Sequence, residues 1–356
     1  MSPIEAWGMF FTSKGKPLEK RRFLIDNISD EHVVVKVAGC GLCHTDLGFI
    51  SGDVATKHDL PLILGHEISG TVEVAGKNYQ NLLGKKVIIP AVLPCGECVL
   101  CAAGRDNICQ HQLMPGNDFD GGFASHIKVP ARFLCELPDD LGDFKLQDMS
   151  VIADAITTPY QSMIRSGLKK GDLAIVIGTG GVGFYMAQHA HNRGATVIAL
   201  DIDETKIKTA KQQGADFGLC TAGMDSRDIK SHIRALVKEH KLPKYQWKIY
   251  ETSGSAAGQN VAFSLLNFAG TLGVIGFTMA KLELRLSNIM AFDADIFGNW
   301  GCSPKYYPAV VDGVLDGSIN LLDNIVEYPL SQLNDVITLA NAHKLSRRAI
   351  MVPDQE

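Results

Sequence analysis

Apolar positions set the plan of this chain. Residues 32–38, HVVVKVA, alternate or run apolar and read as a strand. Residues 68–76 and 86–92 read likewise, with GK and NYQN turns between them. Short strands broken by glycine and proline continue to about residue 135, so the first region is predicted to be β-rich and barrel-like. The pattern changes near residue 154. DAITTPYQSMIRSGL reads as a helix, and DLAIVIGTGGVGFYMAQHAHNRGATVIALD reads as strand, glycine turn, helix, strand. ETKIKTAKQQG (helix), KIYETSG (strand), AGQNVAFSLLN (helix) and GTLGVIG (strand) repeat the alternation. Alternating strands and helices predict a parallel, doubly wound α/β sheet. GTLGVIGFT is placed at the edge of that sheet, although its apolar run would suit the core equally well. Beyond about residue 297 the chain breaks at glycine and proline and ends in mixed elements.

Length agrees with two patterns: 356 residues exceed one small core, and two domains are expected. A formal charge of −5 gives no reason to expect nucleic acid or an anionic membrane as partner. No apolar run reaches the roughly 18–20 residues of a membrane span. The start, MSPIEAWGMFFTSKGK, lacks the basic, apolar and small-residue regions of a secretory signal. A cytoplasmic, reducing location follows as the expectation, and there clustered cysteines bind metal or do redox chemistry rather than pair as disulfides.

CGECVLCAAGRDNIC, residues 95–109, carries Cys95, Cys98, Cys101 and Cys109 at C-x2-C-x2-C-x7-C spacing. Four thiolates on a tight loop suit a closed, tetrahedral structural zinc site. The chain's five other cysteines are scattered, so chance clustering is a poor account. A redox C-x-x-C pair lacks the surrounding thioredoxin-like pattern, and a nucleic-acid ribbon would need more than one arginine and some aromatic residues. A closed site leaves no position for substrate, so the chemistry must lie elsewhere.

In AIVIGTGGVG, residues 174–183, Gly178, Gly180 and Gly183 form G-x-G-x-x-G, with Gly181 and Val182 inside the motif. By itself that motif is weak. Here it follows a buried strand, opens a helix, and is followed by TVIAL ending in Asp201, eighteen residues past Gly183. This is the context of a dinucleotide-binding turn, with the pyrophosphate at the helix N-terminus. Asp201 would accept hydrogen bonds from the adenosine ribose and repel a 2′-phosphate, favouring NAD over NADP. An acid ending a strand can also simply cap the next helix.

GLCHTD supplies Cys43, His44, Thr45 and Asp46, and LGHEISG supplies His66 and Glu67. Each alone has an ordinary reading, since a single histidine is more often a core or surface residue than a ligand. In order, GLCHTD, GHE, the four-cysteine loop and GTGGVG resemble the zinc-dependent medium-chain alcohol dehydrogenases over nearly the whole chain. That resemblance implies a GroES-like β-rich catalytic domain built from both chain ends (residues 1–155 and 297–356) around a Rossmann domain (156–296).

The resemblance also implies roles. Cys43, His66 and Asp154, in DAITTPY where many members have cysteine, would ligate a catalytic zinc, and Glu67 would be the adjacent acid that can approach the metal in some states. Asp46 would orient the histidine ligand, and Thr45 would take the substrate proton. His44 and Arg348 would lie near the cofactor pyrophosphate, Thr158 and Val182 on the nicotinamide, and Lys206 near the ribose. The family's relay histidine is absent: Gly48 stands there. Two zinc ions per chain, NAD and a homodimer or homotetramer are implied, and the reaction is alcohol oxidation by hydride transfer.

CGLCHTDLGFISGDV, LPLILGHEISGTV, the PAVLPCGEC run and MPGNDFDGGFASHIKVPAR further resemble a subfamily that oxidises a ring secondary alcohol on a cyclic acyl-CoA thioester in anaerobic aromatic degradation. Lys281, Arg285 and Lys305 are candidate contacts for the CoA phosphates, though such charges also serve as plain solvated surface. Rival readings are a free aromatic alcohol or polyol as substrate, a zinc-free reductase of the same fold, and a non-catalytic zinc-stabilised NAD-binding protein.

Overall fold

The computed structural model describes residues 3–354 and resolves two compact units. The first contains the chain up to Thr157, Gly301–Asp316 and the chain from Leu321 onward. It is built on a seven-stranded sheet. Strand His32–Gly41 pairs antiparallel with Glu67–Ala75, with His126–Pro130 and with the late strand Arg348–Val352. A three-stranded sheet, Glu19–Ile25, Ile4–Phe11 and Leu62–Ile63, lies beside it in the order of pairing. His32–Gly41 is a long strand because its valines serve two faces. Val33, Val35 and Val37 join the main core, while Val34 packs with Ala6 and Ile25. Each such fully buried side chain contributes roughly 1.5–3 kcal/mol of transfer free energy.

The register of these strands places chemistry. Gly41 pairs with Glu67 on one side and with Ile350 on the other. A Cβ at Gly41 would lie 2.1 Å from Glu67 Oε2, so only glycine leaves room for that carboxylate. The first residue of GLCHTD, the acid of LGHEISG and the last strand therefore meet at one point of the sheet.

The second unit, Thr158–Trp300 with Gly317–Asn320, holds six parallel strands. Their order is Phe217–Cys220, Thr196–Asp201, Leu173–Ile177, Lys248–Glu251, Thr271–Val274, Asp295–Gly298. This is the doubly wound order, with the crossover direction reversing between Leu173–Ile177 and Lys248–Glu251. Leu173, Ile175 and Ile177 enter one core and Ala174 and Val176 the other, which is why that strand is apolar at every position.

Two expectations are corrected. Thr271–Val274 is not the edge strand; Asp295–Gly298 pairs outside it. The edge strand is short and largely exposed, and twenty residues without another strand separate it from its neighbour, so it carries no hydrophobic signature. The sequence reading also passed over strand Phe217–Cys220 and helix Ser226–Glu239. The strand is half-buried throughout. The helix is amphipathic, with Ile229, Ile233 and Val237 buried at four-residue spacing, and Asp225 caps it by accepting from the amides of Arg227 and Asp228.

Candidate metal centres and dinucleotide loop

The four cysteines of residues 95–109 converge. Sγ separations are 3.4 Å for Cys95–Cys109, 3.5 Å for Cys98–Cys101, 3.7 Å for Cys98–Cys109 and 4.0 Å for Cys95–Cys101. Thiolates about 2.3 Å from a tetrahedral ion stand about 3.8 Å apart, so the donor set fits zinc. None is in a disulfide. Backbone amides of Cys98, Cys95 and His111 point at the sulfurs from 3.3–3.4 Å and favour their ionised form. Amide donation at Cys101 and Gln110 pulls the Cys98 thiol down to about 6, while burial and the neighbouring sulfurs push Cys101 up to about 12. Without a cation the negative charge cannot be spread over all four; a dication removes that conflict. Arg132 holds the loop in place, donating to Cys95 O at 2.6 Å.

The second cluster has mixed donors. Cys43 ends the strand region and caps helix His44–Ser51. Asp46, fully buried, accepts from Cys43 N at 2.9 Å and Gly65 N at 3.2 Å, and its Oδ1 lies 3.4 Å from His66 Nδ1. That last contact has an ion-pair distance without the alignment of a hydrogen bond. His66 Nε2 lies 3.6 Å from Asp154 Oδ2, and Cys43 Sγ lies 3.9 Å from the same oxygen. Thr45 Oγ1 is 3.7 Å from Cys43 Sγ. Burial alone would lower the His66 pKa, but the Asp46 charge and the contacts with Asp154 and Cys43 outweigh it and raise the value well above normal. One sulfur, one nitrogen and one oxygen thus face a common point already prepared for positive charge, a three-donor set that suits a metal with an open position.

Glu67 also brings an oxygen within 4.8 Å of these donors. Its bonds give it another task. Oε1 accepts from Ala155 N at 3.1 Å and from Arg348 Nη2, and Oε2 accepts from Arg348 Nε at 2.8 Å. Burial and then the Asp154 charge push this carboxyl up against the opposing pull of Arg348. Arg348 was expected beside a pyrophosphate; here its guanidinium is given to Glu67, with only 9% of the side chain exposed. The pairing was not legible in a sequence where 281 residues separate the partners.

Asp154 does not begin a helix as expected. It ends the 3-10 stretch Leu146–Ala153, and the α-helix starts only at Thr157. Its turn is held from both sides: Tyr307 donates its hydroxyl to Ala153 O, and Ala155 N donates to Glu67. Tyr307 was missed by the sequence reading; it is fully buried and its oxygen accepts from Ala91 N at 3.2 Å. Gly48, at the relay position, is half-buried in helix His44–Ser51, and a Cβ there would meet only Val54 Cγ2, at 3.8 Å.

In the second unit the glycine turn has the geometry that close phosphate approach requires. Gly178 has φ +85°, a Cβ at Gly183 would lie 1.8 Å from Gly178 O, and a Cβ at Gly180 would meet nothing within 4 Å. The turn opens helix Gly181–Asn192, with Val182 in its first turn. Asp201 ends strand Thr196–Asp201, and its Oδ2 accepts from Thr179 N at 2.7 Å and Thr179 Oγ1 at 3.1 Å. It therefore braces the loop as well as ending the strand. Lys206 is exposed on helix Glu204–Gln212, Thr158 is buried, and His44 is exposed in the first unit. Lys281 and Arg285 are exposed, whereas Lys305 donates to Gly104 O at 3.3 Å.

No helix among the described residues is long and apolar enough to cross a membrane. Residues 29–139 match the alcohol dehydrogenase GroES-like domain family, and residues 181–316 match the zinc-binding dehydrogenase family. An alcohol dehydrogenase of Geobacillus stearothermophilus is 29% identical over 94% of this chain and 96% of its own length. A D-arabitol-phosphate dehydrogenase of Enterococcus avium is 27% identical over 86% of each. The crystal structure of an Aeropyrum pernix alcohol dehydrogenase superposes with a TM-score of 0.88 at 27% identity, covering 98% of this chain and all of that one.

Proposed function

The chain belongs to the zinc-type medium-chain alcohol dehydrogenase family, and from that premise we propose that it oxidises the ring secondary alcohol of 6-hydroxycyclohex-1-ene-1-carbonyl-CoA to the 6-oxo thioester with NAD+. The enzyme class rests on one observation above all: Cys43, His66 and Asp154 converge as a three-donor centre in the same chain as a closed four-cysteine loop. The finer substrate reading is supported by the likeness of CGLCHTDLGFISGDV, LPLILGHEISGTV and MPGNDFDGGFASHIKVPAR to the cyclic acyl-CoA subfamily.

Cys43, His66 and Asp154 would hold the catalytic zinc, and Cys95, Cys98, Cys101 and Cys109 the structural one. Bound zinc supplies Lewis acidity that brings the substrate hydroxyl's pKa towards neutral. Thr45, at the mouth of the cluster, accepts the hydroxyl proton and passes it to water, because Gly48 offers no side chain to continue the relay. Asp46 fixes the His66 ring from behind. Glu67, tied to Arg348 and to the Ala155 amide, keeps the Asp154 turn in place rather than entering the donor set. A bound nicotinamide would supply the hydride-accepting chemistry, and Asp201 would favour NAD by taking the ribose hydroxyls and repelling a 2′-phosphate. A homodimer or homotetramer accords with the exposed Phe277, Met279, Leu286 and Met290 near the edge strand.

A polyol substrate is the second reading, favoured by relatives named sorbitol dehydrogenase and D-arabitol-phosphate dehydrogenase. Cofactor reduction followed by absorbance separates the two. NAD+ reduced with the thioester but not with benzyl alcohol or sorbitol supports the CoA substrate, and reduction with the free alcohols alone discards it. NADP+ serving as well as NAD+ overturns the role of Asp201. Elemental analysis showing one zinc per chain, with NAD binding and no turnover, returns the protein to the non-catalytic reading.

A further inference from the structure

Asp154 is an oxygen donor on a turn that no regular element defines. It lies between the 3-10 stretch ending at Ala153 and the helix starting at Thr157. Its position therefore depends on what grips the peptides around it. On the near side, the carbonyl of Ala153 receives Tyr307 Oη–H and, at 3.2 Å, Thr157 Oγ1–H.

Tyr307 belongs to the segment by which the chain re-enters the first unit. The same segment is pinned to the four-cysteine loop at two points. Ser303 Oγ donates to Asp106 Oδ2 at 2.9 Å, and Lys305 Nζ donates to Gly104 O at 3.3 Å. Asp106 sits between Cys101 and Cys109, and its carbonyl accepts from Cys109 N at 3.0 Å. Its other oxygen, Oδ1, is buried without a hydrogen-bond partner among the described residues. Asp106 is half-buried, so its bond to Ser303 is the hold on its carboxylate that joins the two segments. Ser303 is 1% exposed, and one short 3-10 turn, Pro304–Tyr306, separates it from Tyr307. A rigid strut thus runs from the cysteine loop to the Asp154 turn.

We propose that Ser303 and Tyr307 are positioning residues for Asp154, and that through them metal in the four-cysteine loop governs how tightly the Cys43–His66–Asp154 centre holds its own. The inference rests on the zinc reading of both centres given above. With the loop filled, Asp106 is fixed, Ser303 is anchored to it, and Tyr307 holds the Ala153 carbonyl. With the loop empty, no ion holds the four sulfurs together, Asp106 is free to move, and the turn carrying Asp154 loses its brace.

The test measures zinc affinity at the Cys43 centre by competition with a zinc-chelating dye. Fewer than two zincs per chain in the unaltered protein would sink the zinc reading itself, before any question of coupling. Given two, Cys98→Ala is expected to weaken the Cys43 centre about tenfold, the scale of residues that support a metal's ligands. In a Ser303→Ala background the same change is expected to add less than about twofold. Equal weakening in both backgrounds, or none in either, overturns the proposal. If Cys98→Ala does not fold, Ser303→Ala and Tyr307→Phe, which keep every ligand, decide the matter through the rate at which a chelator strips the Cys43 centre. Faster stripping with loop zinc retained supports the strut, and an unchanged rate refutes it.

Discussion

Replacing Arg348 by alanine tests whether Glu67 is a partner of the C-terminal strand or a spare metal ligand. Glu67 is fully buried and accepts three hydrogen bonds, two of them from Arg348. Arg348→Ala leaves Oε2 with no donor and Oε1 with the Ala155 amide alone. Breaking a buried ion pair from one side costs about 3–5 kcal/mol, because the charge left behind is unpaired. The assay is urea unfolding of the zinc-loaded protein, with the denaturant slope checked for constancy. Arg348→Ala combined with Glu67→Gln keeps an acceptor for Ala155 N, removes both charges, and closes a cycle with the two single variants. It is expected to cost less than Arg348→Ala alone, with a coupling of roughly 2–3 kcal/mol. If Glu67 instead turns to the metal in the loaded protein, Arg348→Ala costs under about 1 kcal/mol. That outcome, or strict additivity in the double variant, refutes the pairing and restores Glu67 as a ligand.

Gly183→Ala drives a methyl to within 1.8 Å of Gly178 O, so roughly 1–3 kcal/mol of overpacking strain and at least a tenfold rise in NAD dissociation constant are expected, read by calorimetric titration. Asp201→Asn removes the charge that repels a 2′-phosphate; the ratio of kcat/KM for NAD+ over NADP+ should fall roughly tenfold or more, and an unchanged ratio assigns Asp201 to loop bracing alone. Glu251 is fully buried, its Oε2 has no hydrogen-bond partner among the described residues, and burial raises its pKa above 4.5. The folded state then binds more protons than the unfolded state, so stability from this group is present at low pH and is lost as pH rises from 4.5 through the raised value. Glu251→Gln should flatten thermal stability across that window, and an identical pH profile in the variant contradicts the assignment.

What the sequence made legible was local. The four cysteines, the glycine turn and the apolar strand AIVI lie within short stretches whose spacing is itself the geometry, and each was found where its pattern placed it. What it concealed was either weakly patterned or remote. Strand Phe217–Cys220 buries no residue fully, and Asp295–Gly298 is an exposed edge, so neither carries the alternation that marks a strand. Asp154 was assigned to a helix because ITTPYQSMI has helical spacing, yet the helix starts three residues later and Asp154 stands in the turn before it.

The remote contacts share one physical cause. Arg348 reaches Glu67 because the last strand pairs with His32–Gly41, and Tyr307 reaches Ala153 because the chain returns to its first unit after Trp300. Neither residue brings a metal donor of its own: Arg348, singled out in the sequence for a pyrophosphate, donates to Glu67, and Tyr307 stands in no motif. Each instead holds one flank of the Asp154 turn, Tyr307 through the Ala153 carbonyl and Arg348 through Glu67 and the Ala155 amide. An aspartate has a shorter reach than a glutamate, so an aspartate ligand tolerates little drift of its backbone. The C-terminal return is thus part of the centre's construction: those two grips, with Thr157 Oγ1 on the same Ala153 carbonyl, hold the turn that carries Asp154, whose Oδ2 lies 3.6 Å from His66 Nε2 and 3.9 Å from Cys43 Sγ.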